Sequence, residues 1–110
     1  MEAADPRTDG ELLVATAQDP DAFATFRSRH MQGVLAFFRR RVGPGELALE
    51  LTAETFAAAF EASRRYQLRA EPACTWLYGI AWGKLFARSA LLGGTSDAKD
   101  EDPFRREEAL

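Results

Sequence analysis

Glu50-Leu51-Thr52-Ala53-Glu54-Thr55-Phe56 and Thr75-Trp76-Leu77-Tyr78-Gly79-Ile80-Ala81 decide how this chain folds. In the first, Leu49, Thr52, Phe56 and Phe60 recur at three- and four-residue steps, the spacing of one helix face, with Leu47, Leu51 and Ala58 widening it. In the second, Leu77, Ile80 and Ala81 do the same, with Leu85, Arg88 and the stem of Lys84 alongside. Between them lies Arg64-Arg65-Tyr66-Gln67-Leu68-Arg69, a cationic, aromatic-bearing turn. Two helices joined by such a turn present an acidic surface and then a basic one.

Working outward, Thr8 and Glu11 form a capping box at the entrance of a short helix running through Gln18. Its sticky face is Leu12, Leu13 and Ala17. Asp19-Pro20 stops it and opens the next helix, Asp19 as N-cap and Pro20 in the first turn. That second helix extends to about Val42, with Phe23, Phe26, His30, Val34, Phe37 and Phe38 as its inward stripe. Arg39, Arg40 and Arg41 lie in its last turn, where positive charge offsets the helix dipole. Gly43-Pro44-Gly45 breaks it. A third helix spans about Glu46 to Arg65, and a fourth begins at Pro72 and ends near Leu92, before Gly93-Gly94. No segment shows strand alternation. The expected fold is an all-α, compact bundle of about four helices. Residues 1–8 are expected to be a flexible N-terminus, 9–92 the helical domain, and 93–110 a polar acidic tail with a last weak helical turn over Phe104–Leu110.

The chain has 110 residues, enough for one domain with a modest core. With 46% hydrophobic and 28% charged residues it reads as globular rather than disordered. No apolar run approaches the roughly 20 residues of a membrane span. The acidic start Met1-Glu2-Ala3-Ala4-Asp5 is unlike a signal peptide, so a cytoplasmic location is expected and no membrane partner. Net charge is −3, but it is laid down in alternating blocks: −5 over residues 1–25, +5 over 26–45, −4 over 46–62, +4 over 63–88 and −3 over 89–110. Separate surfaces for separate partners give that pattern, and so do helices with complementary ends.

Groups for catalysis are scarce. There is no glycine-rich phosphate loop and no zinc-protease or serine-hydrolase signature. Cys74 stands near a helix start, where a thiolate is favoured, but the only base available to it is His30, on another helix's apolar stripe. A structural cysteine is the better reading. Glu50 and Glu54 lie one turn apart on one face, without a third ligand in view, and make an acidic edge for solvent or a partner. Hence no enzyme, metal or cofactor is expected. At the turn, Arg64, Arg65 and Arg69 can neutralise phosphates, and Tyr66 can stack on an unpaired base for about 1–3 kcal/mol. The same arginines would serve equally well as a helix C-terminal cap. Trp76 reads as packing, while Tyr78 and Trp82 share a face that suits either the core or a partly exposed surface.

Three stretches resemble a known family. Asp19-Pro20-Asp21-Ala22-Phe23-Ala24-Thr25-Phe26 is similar to the "Asp-x-Glu-Ala-Phe" opening of region 2 of bacterial extracytoplasmic-function sigma factors. Leu51-Thr52-Ala53-Glu54-Thr55-Phe56 is similar to its "Leu-Thr-Gln-Glu-Thr/Val-Phe", and Trp76-Leu77-Tyr78-Gly79-Ile80-Ala81 to its "Trp-Leu-x-x-Ile-Ala". The resemblance runs from Gly10 to Arg88, about three quarters of the chain. It implies a domain that binds core RNA polymerase, on the β′ clamp helices, near Leu47, Glu50, Glu54 and Thr55. It also implies capture of the single-stranded minus-ten promoter element near Arg64, Arg65, Tyr66, Gln67, Arg69 and Trp82, in support of transcription initiation. The chain departs from the family at Leu47, Leu49 and Ala53 on the third helix and at Gly79 and Trp82-Gly83 on the fourth, where polar or basic residues are usual. The helix-turn-helix region of such factors has no counterpart in the tail after Gly94. A second reading therefore stands beside the first: a degenerate sigma-like interaction module that binds polymerase, an anti-sigma factor or a second copy of itself without melting DNA, through Leu47, Leu49, Tyr78 and Trp82.

Overall fold

The computed structural model describes residues 5–68 and 72–91. Four α-helices follow one another: α1 (Asp9–Ala15), α2 (Pro20–Val42), α3 (Glu46–Ala62) and α4 (Ala73–Leu91), with a 3-10 turn over Ser63–Arg65 closing α3. No strand occurs among the described residues. The all-α bundle expected from the sequence is the fold observed. The tail beyond Leu91, with its expected helical turn, lies outside the described residues.

Each helix begins and ends where its chemistry dictates. The Glu11 backbone N–H donates to Thr8 Oγ1 at 3.1 Å and the Thr8 N–H to Glu11 Oε1 at 2.8 Å, completing the capping box. The Asp21 N–H donates to Asp19 Oδ1, capping α2 with Pro20 in its first turn. Gly43 ends α2 at φ 95°, a left-handed conformation that costs a residue with a Cβ and costs glycine nothing. The third helix is shorter than expected. At Ser63 the hydroxyl donates to the Phe60 carbonyl and the last turn tightens into a 3-10 form.

One core joins all four helices. Leu12 and Leu13 come from α1, Phe23, Phe26, Val34, Phe37 and Phe38 from α2, Leu51, Phe56 and Ala59 from α3, and Leu77 and Ala81 from α4. Fully burying each large side chain contributes about 1.5–3 kcal/mol, so the phenylalanine stripe of α2 carries much of the stability. Phe26 is the hub, its ring 5.7 Å from Phe23, 4.9 Å from His30 and 6.5 Å from Trp76. Two assignments to the inner face of α3 are corrected: Leu49 is 53% exposed and Phe60 36%. α3 is apolar nearly all round, and α2 and α4 pack against only part of that circumference.

Candidate nucleic-acid and partner surfaces

The turn between α3 and α4 places its charges as the sequence suggests and its ring as the sequence does not. Arg64, Arg65 and Gln67 are exposed, and neither arginine pairs with a carboxylate among the described residues. Arg69 lies outside the described residues. Tyr66, expected to face outward, is only 9% exposed. Its ring meets Trp76 edge-on at 5.2 Å, and the first turn of α1 approaches it at Gly10. The physical reason is packing: the chain leaves the 3-10 turn extended at Tyr66, and the aromatic body fills the space between Gly10 of α1 and Trp76 of α4.

Trp82 stands elsewhere. Its ring packs edge-on at 5.2 Å against Phe37 and stacks at 5.5 Å on Phe86, half-buried, as is Tyr78. The Arg41 guanidinium lies 3.9 Å over the Phe37 ring and 4.8 Å from the Trp82 ring, while donating to the Phe37 carbonyl at 2.9 Å. Burial, and then repulsion from Arg40, push Arg41 down from its ordinary pKa, yet a guanidinium stays charged throughout. Phe37 is eleven residues along α2 from Phe26, about 16 Å at 1.5 Å per residue. The fold therefore does not bring Trp82 together with the Arg64–Arg65 turn.

On α3, Glu50 and Glu54 do share an edge, and Arg88 of α4 reaches both: Nη1 stands 3.3 Å from Glu50 Oε1, and Nη2 donates to Glu54 Oε2. Leu47 is half-buried against the core. Thr55, expected among the partner contacts, is fully buried, its hydroxyl donating to the Leu51 carbonyl at 2.8 Å. It points toward α4 and the interior because it lies almost opposite the Leu49–Phe60 face of the helix.

One recess was not anticipated. Between α2 and α3 runs an open apolar groove of about 510 Å³, lined by Phe23, Arg27, Met31, Leu35, Leu49 and Phe60 among others. The signal was present, since Leu49, Ala53 and Phe60 follow one face, but a helix with apolar residues on more than one face does not announce which of them is left uncovered. Equally illegible was the Asp9 carboxylate, held by Arg29 at 2.9 Å and His30 at 2.8 Å. Burial alone would raise its pKa, but the hydrogen bonds from Arg29 and His30 outweigh that and hold it below the ordinary value of 3.8. His30 is thus partnered by Asp9 and not by Cys74, which is partly buried at the start of α4. No group of three metal-ligating side chains converges among the described residues, and no described helix is long and apolar enough to cross a membrane.

Comparison with known proteins agrees with this architecture. No curated protein and no solved structure matches the chain. A family model does: residues 26–88, from the hub phenylalanine of α2 to the arginine that ties α4 to α3, match sigma-70 region 2. The match takes in the groove-forming helices, the cationic turn and nearly all of α4, more than half of the sequence, and the chain belongs to the sigma-70 region 2 family.

Proposed function

We propose that this chain is the region 2 module of an extracytoplasmic-function-type sigma factor, binding core RNA polymerase through α3 and unwound promoter DNA at the turn between α3 and α4. The observation that carries the reading is the exposure of Arg64, Arg65 and Gln67 at the tip of two helices, inside the family-matched stretch. Two adjacent guanidinium groups neutralise successive phosphates and release their counterions, a favourable term that falls with salt. Unpaired strand is flexible enough to follow so tight a turn, whereas duplex is not.

Polymerase binding is supported by the α2/α3 face. Leu49 and Phe60 stand exposed along the groove, and Arg27 of α2 lines it. An apolar recess with a charged lip suits a helical partner surface such as the β′ clamp helices. The module itself performs no catalysis; it positions DNA for the polymerase. That role belongs in the bacterial cytoplasm.

The test is binding to a single-stranded minus-ten non-template oligonucleotide at two salt concentrations. Wild-type affinity should fall with salt, and Arg65→Ala should weaken binding and reduce the log–log salt slope by about 1. Equal binding by wild type and Arg65→Ala would sink the DNA half of the reading. A second reading, a regulatory module that engages polymerase, an anti-sigma factor or another copy without melting DNA, draws on the burial of Tyr66 and the apolar groove. Polymerase capture without oligonucleotide binding is the outcome that favours it.

A further inference from the structure

Tyr66 is hidden by α1, and α1 precedes the stretch that matches the family model. The approach is close. A Cβ at Gly10 would stand 2.8 Å from Leu68 Cδ2 and 3.5 Å from the Tyr66 hydroxyl, so the first turn of α1 lies on the ring through a residue without a side chain. Trp76 meets the ring edge-on at 5.2 Å. Arg64 and Arg65, exposed on the same turn, immediately precede it.

The covering turn is latched from α2. Asp9 Oδ1 accepts from Arg29 Nη1 at 2.9 Å and its Oδ2 meets His30 Nε2 at 2.8 Å, while Arg29 Nη2 donates to the Asp5 carbonyl at 2.6 Å. Apart from that latch, α1 is a seven-residue helix whose buried residues are Leu12 and Leu13. A helix this short has little stability of its own and holds its place by tertiary contacts.

We infer that α1 is a gate: with Asp9 latched between Arg29 and His30 it covers Tyr66, and with its first turn released that ring, with Trp76 edge-on beside it, receives an unpaired base next to Arg64 and Arg65. This rests on the DNA reading above. A site available only in the open fraction binds with an apparent affinity reduced by that fraction, so loosening the latch raises the affinity without adding a contact.

Two variants cut the latch from opposite sides, Asp9→Ala and Arg29→Gln. Both are measured with the whole chain, by anisotropy against the single-stranded oligonucleotide and by amide exchange at Leu12 and Leu13. Each should speed exchange in α1 and tighten oligonucleotide binding by about five-fold or more, and adding Tyr66→Ala should abolish the gain. Arg29→Gln is the sharper case, because the loss of a cation would by itself weaken DNA binding. Faster exchange with unchanged or weaker binding overturns the gate, as does unchanged exchange in both variants. If Arg65→Ala weakens binding while the latch variants do not strengthen it, the gate fails and the DNA reading survives. If Arg65→Ala is silent as well, the DNA reading itself has failed.

Discussion

Arg88, in the last turn of α4, donates to Glu54 in the middle of α3, and its other terminal nitrogen reaches Glu50 one turn away. A planar fork spanning an i, i+4 carboxylate pair fixes the register of α4 against α3. Most of this network faces solvent, so screening limits its worth. Arg88→Ala should lower unfolding stability by no more than about 1 kcal/mol, read from the denaturation midpoint. A loss several times larger would mean that the fork is holding the helices together.

Leu49 and Thr55 make opposite predictions from one helix. Leu49→Glu alters an exposed side chain, so stability should stay within about 0.5 kcal/mol, while polymerase pull-down should weaken at least ten-fold, about 1.4 kcal/mol. Thr55→Val buries a similar volume without the hydroxyl that bonds its own helix, and should leave polymerase binding unchanged. Binding that responds to Thr55 and not to Leu49 would place the docking surface on the wrong face of α3.

The Asp9 latch makes stability depend on acid. Its carboxyl titrates below the ordinary 3.8, so its contribution is fully present above that value and is lost as pH falls through the depressed one. The stability gap between wild type and Asp9→Asn should therefore hold while the pH stays above the ordinary carboxylate value and close as it falls through the depressed one. Denaturation curves of the two proteins across that range check it. A gap that widens in acid would reverse the assigned sign.

Gly79 and Gly83 interrupt α4, and a Cβ at either would meet nothing within 4 Å. Replacing each by alanine removes backbone entropy from the unfolded chain at no steric cost, so Gly79→Ala and Gly83→Ala should each stabilise by about 0.5–1 kcal/mol. Thermal unfolding tests that. If either substitution also weakens oligonucleotide binding, the bare backbone there is being approached by DNA.

Sequence alone determined the number of helices and several of their ends, though α1 stops at Ala15 rather than Gln18 and α3 at Ala62 rather than Arg65. Thr8 with Glu11, Asp19 with Pro20 and Gly43 with Pro44 are signals written within a few residues of where they act, because a cap satisfies backbone groups one turn away. The three- and four-residue recurrence of Phe23, Phe26, Val34, Phe37 and Phe38 fixed the inward stripe of α2 for the same local reason. The family resemblance was legible in motifs on α2, α3 and α4, and the family match covers those on α3 and α4.

Tertiary structure decided which faces were left over. Whether Leu49 is core or surface depends on where α2 lies across α3, and nothing within α3 encodes that. Whether Tyr66 faces DNA or the interior depends on α1, more than fifty residues earlier, closing over the turn. Asp9 finds Arg29 and His30 only once two helices pack, since neither partner is within reach along the chain. Periodicity reports that a side has to be buried; the burying is done by a neighbour, and the neighbour's position is a property of the whole fold.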